Sequence, residues 1–413
     1  MINPVLNSQH TAPRLYLKNM IRIFFILLVV LVWASAGFAA MSTATAILRV
    51  RNPISLARPS ETIVLKAGDL KRLLEVDDIS LVHVRDQESK QELLTQAVDD
   101  NGDGVYEELI FQADVGPLQT KTFLLSVGER QVLRREDFKA YGRFVRERMD
   151  DFAWENDRIA HRMYGAALET WAQEPLTSSA VDVWTKSVPR LVINDWYMVD
   201  DYHRDHGEGG DFYGSGSTRG CGGNGIWAGG KLYPSENFRT SRVLANGPIR
   251  VMFELTYNAW DAHGVRVSEI KRITLDAGQN FNRYESHYTV EGDAPRELVS
   301  AAGIRKGENP AIAVSRELGT LRSWEPLKGL KGEDEGLLGC AVIVDPANLL
   351  SSSDDDKNYF LTAKVSSDKV FAYYAGFGWS KSPQFHSMED WDHYVADFAK
   401  RLRSPVEVSL TNK

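Results

Sequence analysis

The sequence predicts an all-β protein: a large antiparallel β-sandwich with a smaller N-terminal β region and few helices. After residue 45, short alternating or apolar runs follow one another, with turn residues between them. They recur roughly every 10–15 residues without a helical pattern in between, whereas parallel sheets need helical crossovers. No period of about 20–50 residues repeats, which disfavours solenoids and propellers.

Two regions are predicted, at residues 45–130 and 140–413, joined by the charged stretch from Arg130 to Arg148. Strands of the first region are expected at Ala46–Val50, Thr62–Lys66, Ile79–Arg85, Leu93–Val98, Glu108–Ala113 and Thr122–Val127. The clearest helix is Glu389–Arg403, which carries apolar residues at helical spacing and basic residues towards its C-terminal end.

The first 39 residues have the pattern of a secretory signal peptide. Three basic residues and no acidic one lie within residues 1–22, an apolar run covers residues 23–33, and small residues follow. A membrane anchor is the alternative, but the run is shorter than the roughly 20 residues of a membrane span. We therefore expect cleavage after Ala36 or Ala39, no membrane span in the mature chain, and a periplasmic or secreted location.

The acidic balance of the chain argues against nucleic acid as a partner. The formal net charge is -8, and loss of the leader with its three basic residues would take it to -11. A local cluster of cations still dominates within about 10 Å, the screening length at moderate salt. An anionic oligosaccharide is therefore compatible as substrate. Cys221 and Cys340 lie in no C-x-x-C pair, and the sequence leaves open whether they form a disulfide.

Five segments resemble one bacterial family. They are YHRDHGEGGDFY at 202–213, DDNGDGVYEELIFQ at 99–112, RIAHRMYG at 158–165, NGPIR at 246–250 and YAGFGWS at 374–380. Over nearly all of its mature length the chain resembles the family catalogued as domain of unknown function 4861. The resemblance implies a galactose-mutarotase-like β-supersandwich, in which one sheet face forms a sugar cleft, and a role in polysaccharide utilisation. It also implies an activity like that of an ulvan-pathway oligosaccharide dehydratase, which makes an unsaturated uronic acid.

The segment 202–213 is the candidate active-site loop. Two imidazoles, two carboxylates and a phenol are the groups of interest there: His203, His206, Glu208, Asp211 and Tyr213. Eleven glycines lie between Gly207 and Gly230, and glycine allows turns closed to other residues and close approach of a ligand. A solvated loop with incidental charges is the alternative, and the density of acid/base groups favours a site.

Elimination from a uronic acid requires a neutralised carboxylate, a base for the C5 proton and an acid for the leaving oxygen. We expect His203 and Tyr213 to transfer the protons, because local fields bring such groups towards working pH. Glu208 or Asp211 would orient them. Aromatic residues of a sandwich are more often core, which is the alternative for Tyr213.

Arg158, His161 and Arg162 are the predicted ligands of a carboxylate or sulfate, because arginine matches planar oxyanions bidentately. A structural ion-pair cluster is the alternative. Trp227 and Trp379 lie beside glycines and are the predicted exposed platforms for sugar rings. A large sandwich also fills its core with such rings.

No cofactor is predicted, and two metal hypotheses stay open. The stretch from residue 99 to residue 107 resembles a Ca²⁺ loop, and its possible ligands are Asp99, Asn101, Asp103 and Glu107. A hairpin turn explains the same stretch through its Asn-Gly and Asp-Gly pairs. The second hypothesis is a zinc- or manganese-type ion, with His203, His206, Glu208 and Asp211 as its possible ligands. Their spacing lacks the helical H-x-x-x-H geometry.

We predict an exported enzyme acting on uronic-acid-containing oligosaccharides, a dehydratase or lyase that forms an unsaturated uronic acid at the non-reducing end. A glycoside hydrolase or epimerase on the same fold is the alternative enzyme. A hydrolase requires two carboxylates about 5–9 Å apart, and Glu208 and Asp211 are available. A non-catalytic sugar-binding protein would need the aromatics and glycines but not the acid/base groups.

Overall fold

The computed structural model describes residues 45–292, 297–367 and 369–412, and these residues belong to one compact unit. The predicted signal peptide, residues 1–39, lies outside the described residues. Within the three described ranges, each helix is too short or too polar to cross a membrane.

The first seven strands lie within residues 45–127. They are β1 (Thr45–Arg51), β2 (Arg58–Lys66), β3 (Val82–Asp86), β4 (Glu92–Leu93), β5 (Thr95–Val98), β6 (Glu108–Val115) and β7 (Thr120–Val127). Helix α1 (Ala67–Leu74) follows β2 and buries Leu70 and Leu74. Short 3-10 helices occupy Ile79–Leu81, Arg135–Asp137, Arg146–Arg148 and Ala166–Thr170.

Residues 140–233 form the next seven strands and a short helix. The strands are β8 (Ala140–Val145), β9 (Asp151–Asn156), β10 (Ala160–Met163), β11 (Asp182–Lys186), β12 (Gly209–Gly210), β13 (Cys221–Ala228) and β14 (Lys231–Tyr233). The short helix is α2 (Ile193–Val199), between β11 and β12.

The remaining strands and the longest described helix complete the chain. The strands are β15 (Thr240–Asn246), β16 (Arg250–Ala262), β17 (Val265–Asp276), β18 (Phe281–Val290), β19 (Glu297–Arg305), β20 (Ala311–Ser315), β21 (Thr320–Lys328), β22 (Asp334–Val344), β23 (Leu349–Asp354), β24 (Asn358–Ser366), β25 (Phe371–Trp379) and β26 (Glu407–Asn412). The helix is α3 (Met388–Arg403).

The strands make five sheets. Their orders are β26-β1-β7-β3-β4, β2-β6-β5, β12-β11-β10-β9-β8, β14-β13-β19-β24-β23 and β15-β16-β17-β18-β25-β22-β21-β20. Successive strands are mostly neighbours, and neighbouring strands run antiparallel, for example β1 with β7 and β16 with β17. The predicted all-β class with an antiparallel sandwich is confirmed.

The main core lies between the eight-stranded sheet and the two five-stranded sheets that begin with β12 and β14. Phe152 of β9 stacks on Phe253 of β16, with ring centroids 4.0 Å apart. Glycine keeps this interface thin: a Cβ on Gly222 would lie 2.4 Å from the Cβ of Ala375. The glycine-rich stretch between Gly207 and Gly230 thus contains a strand, β13, whose glycines let the two sheets approach.

A second core fills the N-terminal β region, between the sheets of β1 and β2. Its edge strand β26 comes from the far end of the chain and pairs with β1 from Ala46 opposite Asn412 to Arg51 opposite Glu407. The predicted division at 45–130 and 140–413 stays a prediction. The predicted helix at 389–403 is confirmed within one residue, and its Trp391 is fully buried against the eight-stranded sheet.

Candidate functional site

Charged and phenolic side chains gather on one face of the sheet of β8 to β12, opposite the face that packs on the main core. The segment that contains α2 covers this face. The ring of Trp184 on β11 lies 4.9 Å from that of Tyr197 and 4.7 Å from that of Tyr202. This aromatic cover excludes water from the groups beneath it, so their electrostatic interactions are strong.

Arg162 on β10 is at the centre of the cluster. It lies opposite Asp182 in the strand register, and its Nη2 is 2.7 Å from an Asp182 carboxylate oxygen and 3.0 Å from one of Asp211. Its Nη1 is 3.8 Å from a carboxylate oxygen of Asp151. All four side chains are at most 5% exposed. Three carboxyl groups thus share one buried guanidinium.

Two of these carboxyl groups have unusual acidity. Burial raises the pKa of Asp151 to about 7, and attraction to Arg162 offsets only part of that rise. Burial also raises the pKa of Asp211 to about 7, and the neighbouring Asp182 carboxylate adds to the effect. Carboxyl groups that exchange protons near neutral pH, clustered with a charged partner, are typical of functional sites.

Tyr202 brings a hydroxyl group into contact with two arginines. Its oxygen accepts hydrogen bonds from Arg148 Nε at 3.2 Å and from Arg162 Nη1 at 3.5 Å. Arg148 is 17% exposed and therefore links the buried cluster to the surface. Both contacts use the phenol oxygen as acceptor, so neither takes up its proton, and the residue is 5% exposed.

His203 is the member of the cluster that faces solvent, with 41% of its side chain exposed. Its Nδ1 lies 3.0 Å from the carbonyl oxygen of Asp211 and 3.6 Å from the carboxylate of the same residue. Its ring centroid is 4.7 Å from that of Tyr202. An imidazole that donates from Nδ1 to a carbonyl keeps its Nε2 lone pair free to act as a base.

Glycines of β12 position Asp211. Gly210 pairs with Thr185 and Gly209 with Lys186 of β11. Gly209 has φ +107°, and a Cβ there would lie 2.1 Å from the carbonyl oxygen of Thr185. Only glycine lets the segment approach β11 so closely, and this approach brings Asp211 against Arg162.

A hollow of about 170 Å³ lies beside the cluster. Trp196 and Tyr202 supply aromatic surface, and Arg204 and His206 supply polar groups. Arg204 forms no ion pair with any described residue. Three carboxylates, of Asp195, Asp201 and Glu208, also line the hollow, and they pair with Arg190 or His206.

Residues 50–408 match the family described as "Domain of unknown function (DUF4861)". The chain belongs to this family. It is also similar to "Uncharacterized protein P7" of Formosa agariphila, at 32% identity over 410 residues. That match covers 95% of this chain and 100% of the relative.

Two solved structures from Enterococcus faecalis are similar to this chain, at 9% identity each. One is described as a protein in the glycosyl hydrolase family 38, with TM-score 0.48, and the other as an alpha-mannosidase, with TM-score 0.46. Each match covers 89% of this chain. The chain spans about half the length of these structures, 47% and 46% respectively.

Glu208 and His206 of the predicted loop have partners outside the Arg162 cluster. Glu208 forms a bidentate ion pair with Arg190, whose Nε is 2.7 Å from Glu208 Oε1. His206 lies 2.9 Å from a carboxylate oxygen of Asp201. His203 and Asp211 are in the cluster described above. The four predicted ligands of a zinc- or manganese-type ion therefore do not converge on one point among the described residues.

Tyr213 lies away from the Arg162 cluster. Its side chain is fully buried, its hydroxyl donates to the carbonyl oxygen of Gly220 at 2.9 Å, and Arg305 lies 3.9 Å from its ring centroid. Burial raises its pKa well above the ordinary value of a tyrosine. The expected role of Tyr213 in proton transfer has no geometric support, because its proton is held in the core.

The two predicted tryptophan platforms differ from each other. Trp379 is 2% exposed and donates from Nε1 to the carbonyl oxygen of Glu335 at 2.7 Å, so it is a core residue and not an exposed platform. Trp227 is half-buried, and its ring lies 5.5 Å from that of Phe360. None of its described contacts involves the Arg162 cluster.

His161 and Arg158 do not join Arg162. His161 projects from the other face of β10 into the core, where Nδ1 lies 2.9 Å from the Asp182 carbonyl oxygen and Nε2 lies 2.8 Å from Asn282 Nδ2. Burial lowers the pKa of His161 to about 4, which keeps it neutral. Arg158, on the turn before β10, donates to Asn280 at 3.2 Å. Of the predicted oxyanion ligands, only Arg162 is in the cluster.

The stretch resembling a Ca²⁺ loop forms the turn between β5 and β6. The carboxylate of Asp99 accepts backbone N–H groups of Gly102 at 2.6 Å and Gly104 at 2.7 Å. Ligand atoms of Asp99, Asp103 and Glu107 nevertheless lie within 4.8 Å of one another. Asn101 donates its amide to Glu107 at 3.3 Å. The hairpin explanation accounts for the backbone, and the calcium hypothesis stays a prediction.

Three residues of the site were not predicted from the sequence: Arg148, Asp151 and Asp182. A usable signal was present: Asp151, Arg162 and Asp182 are charged residues at or within short apolar strands. Charged groups in fully buried strands have to pair with one another. These residues lie on three different strands, so a local sequence pattern does not show which of them pair.

Proposed function

We propose that the chain is an exported acid–base enzyme that eliminates water from the terminal uronic acid of an oligosaccharide, forming an unsaturated uronic acid at the non-reducing end. One observation carries the proposal. A solvent-facing imidazole, His203, touches the buried carboxyl group of Asp211, whose pKa is about 7, and the phenol of Tyr202 adjoins it. A base and an acid thus lie side by side.

In the proposed reaction, His203 Nε2 removes the proton from C5 of the uronic acid. The electron pair left behind forms the C4=C5 double bond while the C4–O bond breaks. The departing hydroxyl takes a proton from the Tyr202 hydroxyl and leaves as water. Tyr202 thereby takes the role first expected of Tyr213. Asp211 acts as a positioning residue, because its carbonyl oxygen fixes the orientation of the imidazole.

The hollow beside the cluster is the proposed seat of the terminal sugar. Tyr202 lines it, whereas His203 does not line it but has its ring centroid 4.7 Å from that of Tyr202. Trp196 offers a ring on which a sugar face stacks, and Arg204 neutralises the substrate carboxylate. Neutralisation makes the C5 proton more acidic, which the reaction requires. Glycoside hydrolysis has less support, because Glu208 is engaged by Arg190 and Asp211 is buried beside Arg162.

The experiment that tests the proposal is a spectrophotometric screen of the purified protein with uronic-acid-terminated oligosaccharides from algal and plant polysaccharides. A conjugated unsaturated uronate absorbs in the near ultraviolet, so we expect absorbance to rise with time. Release of reducing sugar at constant absorbance would assign the protein to hydrolysis. Binding without any product would assign it to the non-catalytic class.

A further inference from the structure

A second cavity, of about 320 Å³, lies where β2 of the N-terminal region, the outer face of the eight-stranded sheet and α3 meet. Four arginines and three aromatic rings contribute to its lining: Arg58, Arg250, Arg283, Arg401, Phe281, Tyr374 and Phe398. None of these residues belongs to the Arg162 cluster. Four guanidinium groups therefore line one cavity of a chain whose formal net charge is -8.

The four arginines differ in their partners. Three of them pair with carboxylates: Arg58 with Glu61 at 3.0 Å, Arg250 with Asp276 at 2.6 Å and Arg283 with Glu285 at 2.7 Å. Arg401 on α3 has no carboxylate partner among the described residues. Its guanidinium is therefore the uncompensated charge of the cavity.

Arg401 is also buried, with 8% of its surface exposed. Its Nε is enclosed and makes no hydrogen bond among the described residues. Its guanidinium carbon lies 5.4 Å from the ring centroid of Phe398 and 5.9 Å from that of Tyr394. Aromatic faces offset part of the cost of burying a cation. A counter-ion in the cavity would offset a further part of that cost.

We propose that this cavity binds a small oxyanion, a sulfate or carboxylate group, with Arg401 as its principal cation. Guanidinium donors match such groups in geometry and give short, charge-assisted hydrogen bonds. Thr274 and Gln279 add polar groups to the wall, and Tyr374 and Phe398 add ring surface. These features accommodate either a free anion or the anionic substituent of a sugar.

The test uses the full chain and titration calorimetry at constant ionic strength. Inorganic sulfate is titrated first, followed by a sulfated monosaccharide and a uronate monosaccharide, with chloride as the reference anion. We expect saturable binding of sulfate but not of chloride. Tighter binding of a sugar-borne group than of inorganic sulfate would identify the source as a carbohydrate, and equal binding would identify a free anion.

Arg401→Gln is expected to weaken sulfate binding at least tenfold. Arg403→Gln is the matched control, because Arg403 is exposed on the same helix and donates to the carbonyl oxygen of Glu317 outside the cavity. Should Arg401→Gln fail to fold, Arg283→Gln decides the matter. That side chain is 44% exposed at the rim, and its loss should weaken binding about threefold.

The inference is overturned if the unaltered chain shows no saturable sulfate binding, or if the cavity variants bind as the unaltered chain does. It does not depend on the elimination chemistry. His203→Ala should bind sulfate with unchanged affinity, so loss of turnover in that variant and loss of anion binding in Arg401→Gln are separate results.

Discussion

Asp211 shows how one side chain acquires its chemistry from its surroundings. It forms an ion pair with Arg162, yet burial and the Asp182 carboxylate raise its pKa to about 7. Desolvation therefore outweighs the attraction of a single guanidinium. Burial raises the pKa of Asp151 in the same way. His161 is the converse case, because burial lowers the pKa of this base and keeps it neutral.

These shifts predict a pH dependence of stability. The pKa of Asp211 is about 7 in the folded chain and near 3.8 when unfolded, so the folded state binds more protons between these values. Its contribution to stability is present at low pH and is lost as pH rises from about 4 to about 7. As the pH rises from 5 to 8, the unaltered chain loses this contribution and Asp211→Asn does not. We therefore expect the free energy of unfolding of Asp211→Asn, relative to that of the unaltered chain, to be higher at pH 8 than at pH 5 by about 1 kcal/mol or more.

Urea unfolding at the two pH values measures this difference. Asp356→Asn is the control, because that carboxylate is exposed. Equal shifts in both variants would show that Asp211 is not the cause. Comparing variants also removes the opposing contribution of His161, whose lowered pKa makes stability rise over about pH 4 to 6.5.

His203→Ala is expected to lower kcat at least about 100-fold, as loss of a general base usually does. Stability should change little, because the ring is 41% exposed. Turnover is followed by near-ultraviolet absorbance. His393→Ala, an exposed histidine on α3, is the matched control and should retain full turnover. Equal turnover of the two variants would remove His203 from the mechanism.

Tyr202→Phe should lower kcat with little change in KM, because it removes one proton donor and keeps the ring. Tyr233→Phe is its control, since that hydroxyl contacts only His263, 3.1 Å away, among the described residues. An unchanged kcat in Tyr202→Phe would require another group to protonate the leaving oxygen.

The strands β9, β10 and β11 build the cluster through their order and register. Arg162 lies directly opposite Asp182, and the glycines of β12 bring Asp211 alongside. At the other end of the chain, α3 begins with a capping box: Ser387 Oγ accepts from the Asp390 N–H at 3.2 Å, and Asp390 accepts from the Ser387 N–H at 3.0 Å.

Ser387→Ala should lower the free energy of unfolding by about 0.5–2 kcal/mol, the usual cost of losing such a cap. Ser352→Ala, at an exposed position of β23, serves as the control. Denaturant unfolding measures both variants. A cost no larger than that of the control would mean that burial of Trp391 alone holds the helix in place.

Excess chelator should leave turnover unchanged, because no residue of the proposed mechanism acts as a metal ligand. A calcium ion at the turn before β6 would act on stability instead. In that case the chelator would lower Tm in the unaltered chain but not in Asp103→Ala. Loss of turnover in chelator would contradict the metal-free mechanism.

The two ends of the described chain meet in one sheet, since β26 pairs with β1. Removal of residues 406–413 would expose the edge of β1 and the apolar contacts of Val406 and Leu410. We expect a loss of about 2 kcal/mol or more in the free energy of unfolding, from buried apolar area and backbone pairing. Removal of Lys413 alone is the control, and far-ultraviolet circular dichroism follows both.

Local patterns in the sequence were enough for the all-β class and the helix near residues 389–403, because alternation and helical spacing depend on near neighbours. The loop at 202–213 was also identified from its own composition. Within this loop the structure brings His203 and Asp211 into contact. Tyr213 and Trp379 were misplaced, because exposure of an aromatic ring depends on what packs against it.

Composition and local spacing by themselves determined the fold class, the acidic balance and the stretch in which acid/base groups concentrate. Only the tertiary structure decided that Arg162 is shared by Asp151, Asp182 and Asp211, that His161 faces the opposite side of its strand, and that Arg401 lacks a partner. The reason is physical: pairing and desolvation of charges depend on contacts between residues distant in sequence, and those contacts exist only after the sheets have packed.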